Sequence, residues 1–130
     1  MHTKLKGDIG ELQVAKELLS RGWHIAFPFE ENLKYDLVAE KEGVFKRIQV
    51  KAVMPKNGAL HVNCRSSNNW SVIHYNKKDF EVLAVVDIDS GKIYFIPSDQ
   101  IHKSLINLRL VHAKNSQKIG INHAENYKDI

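Results

Sequence analysis

Apolar and polar positions along the chain change period several times, and each change marks an element. From Asp8 the apolar residues Leu12, Ala15, Leu18 and Leu19 recur at helical spacing as far as Arg21-Gly22, a natural stop. Residues 35–40 and 44–53 are instead rich in β-branched and aromatic side chains, with Glu42-Gly43 as a two-residue hairpin loop between them. Pro55-Lys56-Asn57-Gly58 reads as a turn, and residues 60–65 alternate like a third strand. A polar loop at 66–69 leads to 70–75, where aromatic and polar residues mix as in a segment covering a sheet edge. Residues 82–86 are continuously apolar, which predicts a strand buried on both faces at the centre of a sheet. Residues 87–91 then connect to a returning strand at 92–96, with Asp87 and Asp89 serving turn chemistry. Ser98 is positioned to cap a short helix through about Ile106. Beyond it, 108–112 reads as another strand and 124–127 as a helical turn in a polar tail. No internal repeat or linker interrupts this order.

The first hairpin has a register that can be counted. With Glu42 and Gly43 alone in the loop, Lys41 faces Val44, and counting back sets Asp36 opposite Gln49. Their Cβ atoms would then lie about 5 Å apart on one face. Lys51 shares that face two residues on, while Leu37, Ile48 and Val50 point to the other, where a core belongs. One acid, one amide and one lysine gathered this way suit a divalent metal held against a phosphodiester; a surface hairpin with its polar side in water is the plainer alternative. Glu11 has two readings as well. With Asp8 as N-cap it is the N3 residue of a capping box. With the helix laid on the sheet, it overhangs Asp36 as a second carboxylate, and the two roles are compatible.

Composition narrows the class. A chain of 130 residues expects one unit, residues 1–130, with a proper core. Its 43% hydrophobic content argues for a globular protein, and no apolar run approaches the roughly 20 residues that span a bilayer. Nor does Met1-His2-Thr3-Lys4 lead into a secretory apolar region. The single Cys64 fits a reducing, cytoplasmic setting, and His61-x-x-Cys64 lacks the second pair that a zinc site needs. The net charge of +4 suits a polyanionic partner, although charge alone does not select one.

Gly7-Asp8-Ile9-Gly10-Glu11 at a helix start, Tyr35-Asp36-Leu37 heading one strand and Gln49-Val50-Lys51 on the next resemble the PD-(D/E)XK nucleases. Within that superfamily the chain is most similar to the small intron-encoded homing endonucleases of cyanobacteria, which share its length, the Gln-x-Lys variant and the hairpin at 82–97. Archaeal Holliday junction resolvases come next. The resemblance covers roughly residues 5 to 100, with its motifs confined to the first 51. It implies an α/β, restriction-endonuclease-like core, with an N-terminal helix packed on a central mixed β-sheet and further helices. It also implies endonucleolytic cleavage of double-stranded DNA using Mg²⁺, for which Mn²⁺ substitutes. Asp36 would be the principal metal ligand, joined by Glu11 and the Gln49 side-chain oxygen, with Lys51 orienting water or stabilising the phosphate. Lys56, Arg65, Lys77 and Lys78 would contact the DNA backbone. A homo-oligomer is expected, a dimer or, as the resemblance implies, a tetramer. The family usually has an acid where Gln49 stands, and an amide oxygen ligates a hard cation without supplying charge. That departure leaves open a silent DNA-binding relative, and a structure-selective resolvase differs only in substrate.

Overall fold

The structure, a computed structural model, describes residues 3–67, 72–74, 79–110 and 122–130, with the backbone alone at 65–67 and 72–74. In chain order, helix α1 (Thr3–Ser20) is followed by strands β1 (His24–Ala26), β2 (Leu37–Lys41), β3 (Val44–Val53), β4 (Ala59–Asn63) and β5 (Arg65–Ser67). Strands β6 (Val72–His74), β7 (Val82–Asp87), β8 (Ile93–Pro97), β9 (Leu105–Arg109) and β10 (Asn122–His123) complete the set, with 3₁₀ turns at Ser98–Gln100 and Ala124–Tyr127. The main sheet runs β1-β2-β3-β7-β8 and is mixed, since β3 and β7 are parallel and the other neighbours antiparallel. A second sheet runs β10-β9-β4, and β5 pairs with β6.

Strand β7 is buried along its whole length between β3 and β8, as its unbroken apolar run requires. Its side chains alternate between two cores. Val82, Ala84 and Val86 join Leu37, Ile48, Val50 and the helix residues Val14 and Leu18 on one face. Leu83 and Val85 join Leu60, Val62, Ile106 and Leu108 from the second sheet on the other. The hairpin loop Glu42-Gly43 has both residues at positive φ, 52° and 82°, the type I′ geometry that lets two right-twisted strands meet. Lys41 faces Val44 as the count requires.

Several expectations are corrected. Helix α1 begins at Thr3, so Asp8 is not its N-cap and Glu11 is not in a capping box. Its buried residues are Gly10, Val14, Ala15 and Leu18, whereas Leu12 and Leu19 stay 62% and 58% exposed. Among the described residues no α-helix follows Ser98: the 3₁₀ turn is preceded by Pro97 without a side-chain cap, and the chain extends into β9. There Ile106 and Leu108 are buried while Leu105 and Asn107 face out, a period of two that overrides helical continuation. Of the strand expected at 108–112, Leu108 and Arg109 lie in β9, which starts earlier, at Leu105, while 111–112 fall outside the described residues. The aromatic segment at 70–75 falls largely outside the described residues. In the tail, the turn at Ala124–Tyr127 forms as expected, Ala124 enters the second core, and Arg21 Nη1 donates to Lys128 O at 2.8 Å. Among the described residues, no helix is long and apolar enough to cross a membrane.

Candidate active site

Asp36 sits where β2 parts from β3. Pairing runs from Lys41↔Val44 to Leu37↔Ile48 and stops, so Asp36 lies just outside the ladder rather than paired with Gln49. Its N–H donates to Ile48 O at 2.8 Å, one residue off the count, and its carboxylate Oδ2 accepts the Val50 N–H at 2.7 Å. A side-chain oxygen thus replaces the backbone carbonyl that the next ladder step would have supplied, the local competition at which aspartate excels. Arg47 fixes the neighbouring chain. Its guanidinium binds both Glu81 carboxylate oxygens, its N–H donates to Glu81 Oε1 at 2.8 Å, and it lies 5.9 Å from the Tyr35 ring centroid.

Gln49 and Lys51 pair with Leu83 and Val85, which belong to the second core, so their side chains leave β3 on the face opposite α1. That face is a packed layer rather than an open polar surface. Gln49 is consequently only 8% exposed, and its Oε1 has no hydrogen-bond partner. An unpaired buried acceptor costs about 1–3 kcal/mol, so it calls for an explanation. Lys51 exerts its charge on Asp36 and on the Cys64 thiol, which burial nevertheless pushes up to about 11.

Glu11 arrives from the other face. Gly10 before it lies so close to β3 that a Cβ there would sit 3.2 Å from the Ala52 Cβ and 3.6 Å from Val50 Cγ1. The missing side chain lets the helix settle onto the sheet and carries Glu11 to the rim of a cavity of about 210 Å³ that Asp36 also lines. Burial first, then the charges of Asp36 and Asp8, push the Glu11 carboxyl up to about 7. Burial also raises Asp36, against the opposing pull of the Val50 N–H and Lys51. Two desolvated carboxylates facing one cavity repel each other, and a cation between them relieves both penalties.

Glu11 and Asp36 therefore share a cavity, and Lys51 lies within electrostatic reach of Asp36. The Gln49 side chain does not line that cavity, although its neighbour Val50 holds the Asp36 carboxylate. Among the described residues, no three Asp, Glu, His or Cys side chains cluster as a metal site by themselves. The oxygen donors that face the cavity include the carboxylates of Glu11 and Asp36, a hard set that fits Mg²⁺ or Mn²⁺, while the unpartnered Gln49 oxygen lies outside it. Glu30 and Glu31 also line the cavity; they sit in a loop, where no periodicity flags them. Of the basic residues, Lys56 is exposed on the turn after β3, the Arg65 side chain is undescribed, and Lys77 and Lys78 fall outside the described residues. His61 and Asp87 have structural partners: His61 Nδ1 lies 2.7 Å from Asn107 Oδ1, and Asp87 Oδ1 accepts the N–H groups of Asp89 and Ser90.

A helix laid on a mixed sheet, with an acid at the fork of two strands, is the restriction-endonuclease-like arrangement. The chain belongs to the PD-(D/E)XK endonuclease family, whose match spans residues 1–130. PD-(D/E)XK nucleases generally use divalent metal ions. Among solved structures, a bacterial homing endonuclease, I-Ssp6803I, is similar with a TM-score of 0.78 and 28% identity, over 98% of this chain and 89% of that one. No curated protein matches the chain.

Proposed function

We propose that the protein is a Mg²⁺-dependent, homing-type endonuclease that hydrolyses double-stranded DNA, with Glu11, Asp36, Gln49 and Lys51 as its working groups. The observation that carries this reading is the pair of carboxyls, Glu11 and Asp36, both withdrawn from water and lining one cavity. When bound, a divalent cation activates water and offsets charge on the phosphate. Asp36 and Glu11 hold it with charge, Gln49 adds a neutral oxygen, and Mn²⁺ meets the same donors. Lys51 orients the attacking water or stabilises negative charge as it grows on the phosphate oxygens. Lys56, Arg65, Lys77 and Lys78 are the proposed backbone contacts. The protein acts as a homo-oligomer, dimer or tetramer, supported by an apolar stripe on the outer side of α1. A DNA substrate and a free, buried Cys64 agree with action in the cytoplasm.

The test is cleavage of plasmid DNA with Mg²⁺. Asp36→Asn keeps an acceptor for the Val50 N–H, and Lys51→Ala removes the ammonium. Each should cut at least about a hundredfold more slowly while DNA binding and melting temperature hold. Wild-type activity in either variant removes that residue from the mechanism. The amide at Gln49 favours one rival, a DNA-binding relative that has lost its chemistry. That rival predicts salt-sensitive binding without cutting, and Gln49→Glu would then leave the protein inactive instead of tightening Mn²⁺ binding.

A further inference from the structure

The loop from β1 to β2 borders the cavity of Glu11 and Asp36, and one of its residues has no structural employment. Pro28, Glu30 and Glu31 line the cavity, while Phe29 between them does not and is 102% exposed. Its ring therefore projects outward from the rim. Phe27 is half exposed and Pro28 stiffens the chain before the ring, while Asn32 at φ 67° turns the loop back toward Asp36. What sets this ring apart from the other exposed apolar side chains is its place, wholly accessible at the rim of the cavity that Glu11 and Asp36 line.

Resting on the nuclease reading above, we propose that Phe29 is a wedge that inserts between stacked bases beside the cleaved phosphodiester. The flanking residues favour this contact. Glu30 and Glu31 line the cavity behind it, which leaves the apolar ring as the contact at the loop tip, and such a ring meets base faces in a groove and not phosphate oxygens. Unstacking one step kinks the duplex and turns the scissile phosphate toward the Asp36 end of the cavity. Phe29 is thus a positioning residue, and flexible pyrimidine–purine steps are its preferred substrates because they unstack with least cost.

The experiment uses the full chain, Ca²⁺ to hold the complex uncut, and duplexes carrying 2-aminopurine at each position in turn across the mapped cut. Wild-type protein should raise fluorescence roughly severalfold at one step within about three base pairs of the cut. Phe29→Ala should abolish that rise and lower kcat by about tenfold or more with a smaller change in KM. Phe29→Leu, still an apolar wedge, should restore part of both. An unchanged signal and rate in Phe29→Ala would overturn the proposal while cleavage by the wild type keeps the nuclease reading intact. A shifted sedimentation coefficient with unaltered unstacking would also overturn it, assigning the ring to a contact between protein copies. If the wild type binds DNA without cutting, the nuclease reading falls, and the 2-aminopurine signal on a bound random duplex still decides the wedge.

Discussion

Glu11 and Asp36 each carry a carboxyl whose proton is held more tightly than usual, and the cause is the same withdrawal from water. For Glu11 the ordinary value is 4.5 and the folded value about 7. Across that interval the folded chain binds more protons than the unfolded one, so metal-free stability is full below about pH 4.5 and is lost as pH rises through about 7. Asp36, also raised, contributes with the same sign. Melting in EDTA should therefore fall in temperature between about pH 5 and about pH 8, and Glu11→Gln should flatten that slope. Saturating Mn²⁺ should reverse it, since metal binds the deprotonated acids. A flat wild-type profile would mean that the two carboxyls are solvated and independent. The identities of these residues were legible from their order in the chain. The side-chain bond from Asp36 to the Val50 N–H was not, because the ladder count assumes that a backbone carbonyl continues the pairing.

At the level of elements, Gly10 explains how the Gly-x-x-Gly-Glu segment of α1 brings Glu11 to the cavity. Without a side chain at Gly10 the helix lowers Glu11 to the sheet edge, where an added Cβ would meet the Ala52 Cβ at 3.2 Å and a larger group would press on β3. Gly10→Val would drive methyl groups into β3 and should cost about 1–3 kcal/mol of stability, read as a lower urea midpoint. Cleavage should fall further than the fraction unfolded accounts for, because the displaced helix withdraws Glu11. Retained stability and full activity would show that α1 can shift freely on the sheet. The hairpin of β2 and β3 and the central β7 were readable because a two-residue loop fixes register and a strand buried on both faces has no polar alternation. Strand β1 is three residues long, below any detectable period, and β9 was obscured by Ser98, a good cap residue where only a 3₁₀ turn forms. Of the apolar positions that define the helix in sequence, Ala15 and Leu18 face the core whereas Leu12 and Leu19 do not, because α1 has apolar residues on two sides.

That second side bears on the whole molecule. Leu5, Ile9, Leu12 and Leu19 are exposed on the face of α1 away from the buried Gly10, Val14 and Leu18, at intervals of four, three and seven residues. Lys16 occupies the step between Leu12 and Leu19. The spacing is that of a heptad, with leucine at successive d positions and Ile9 and Lys16 at a, and the homo-oligomer proposed above would pair its copies along it. A helix of 18 residues offers a short seam, smaller than the roughly 1,200 Å² typical of stable complexes, so association should depend on concentration. The seam faces away from the main sheet, which leaves Glu11 and the cavity open to DNA. Leu12→Asp should weaken self-association at least about tenfold in sedimentation equilibrium, since it desolvates a charge at the middle of the seam. Lys16→Leu should strengthen it, because a lone lysine at an a position sets register at a cost in stability. If the nuclease cuts both strands only as an oligomer, Leu12→Asp should convert plasmid linearisation into nicking at the same site, and Lys16→Leu should restore linearisation at lower protein concentration. Unchanged sedimentation in both variants would move the contact between copies away from α1.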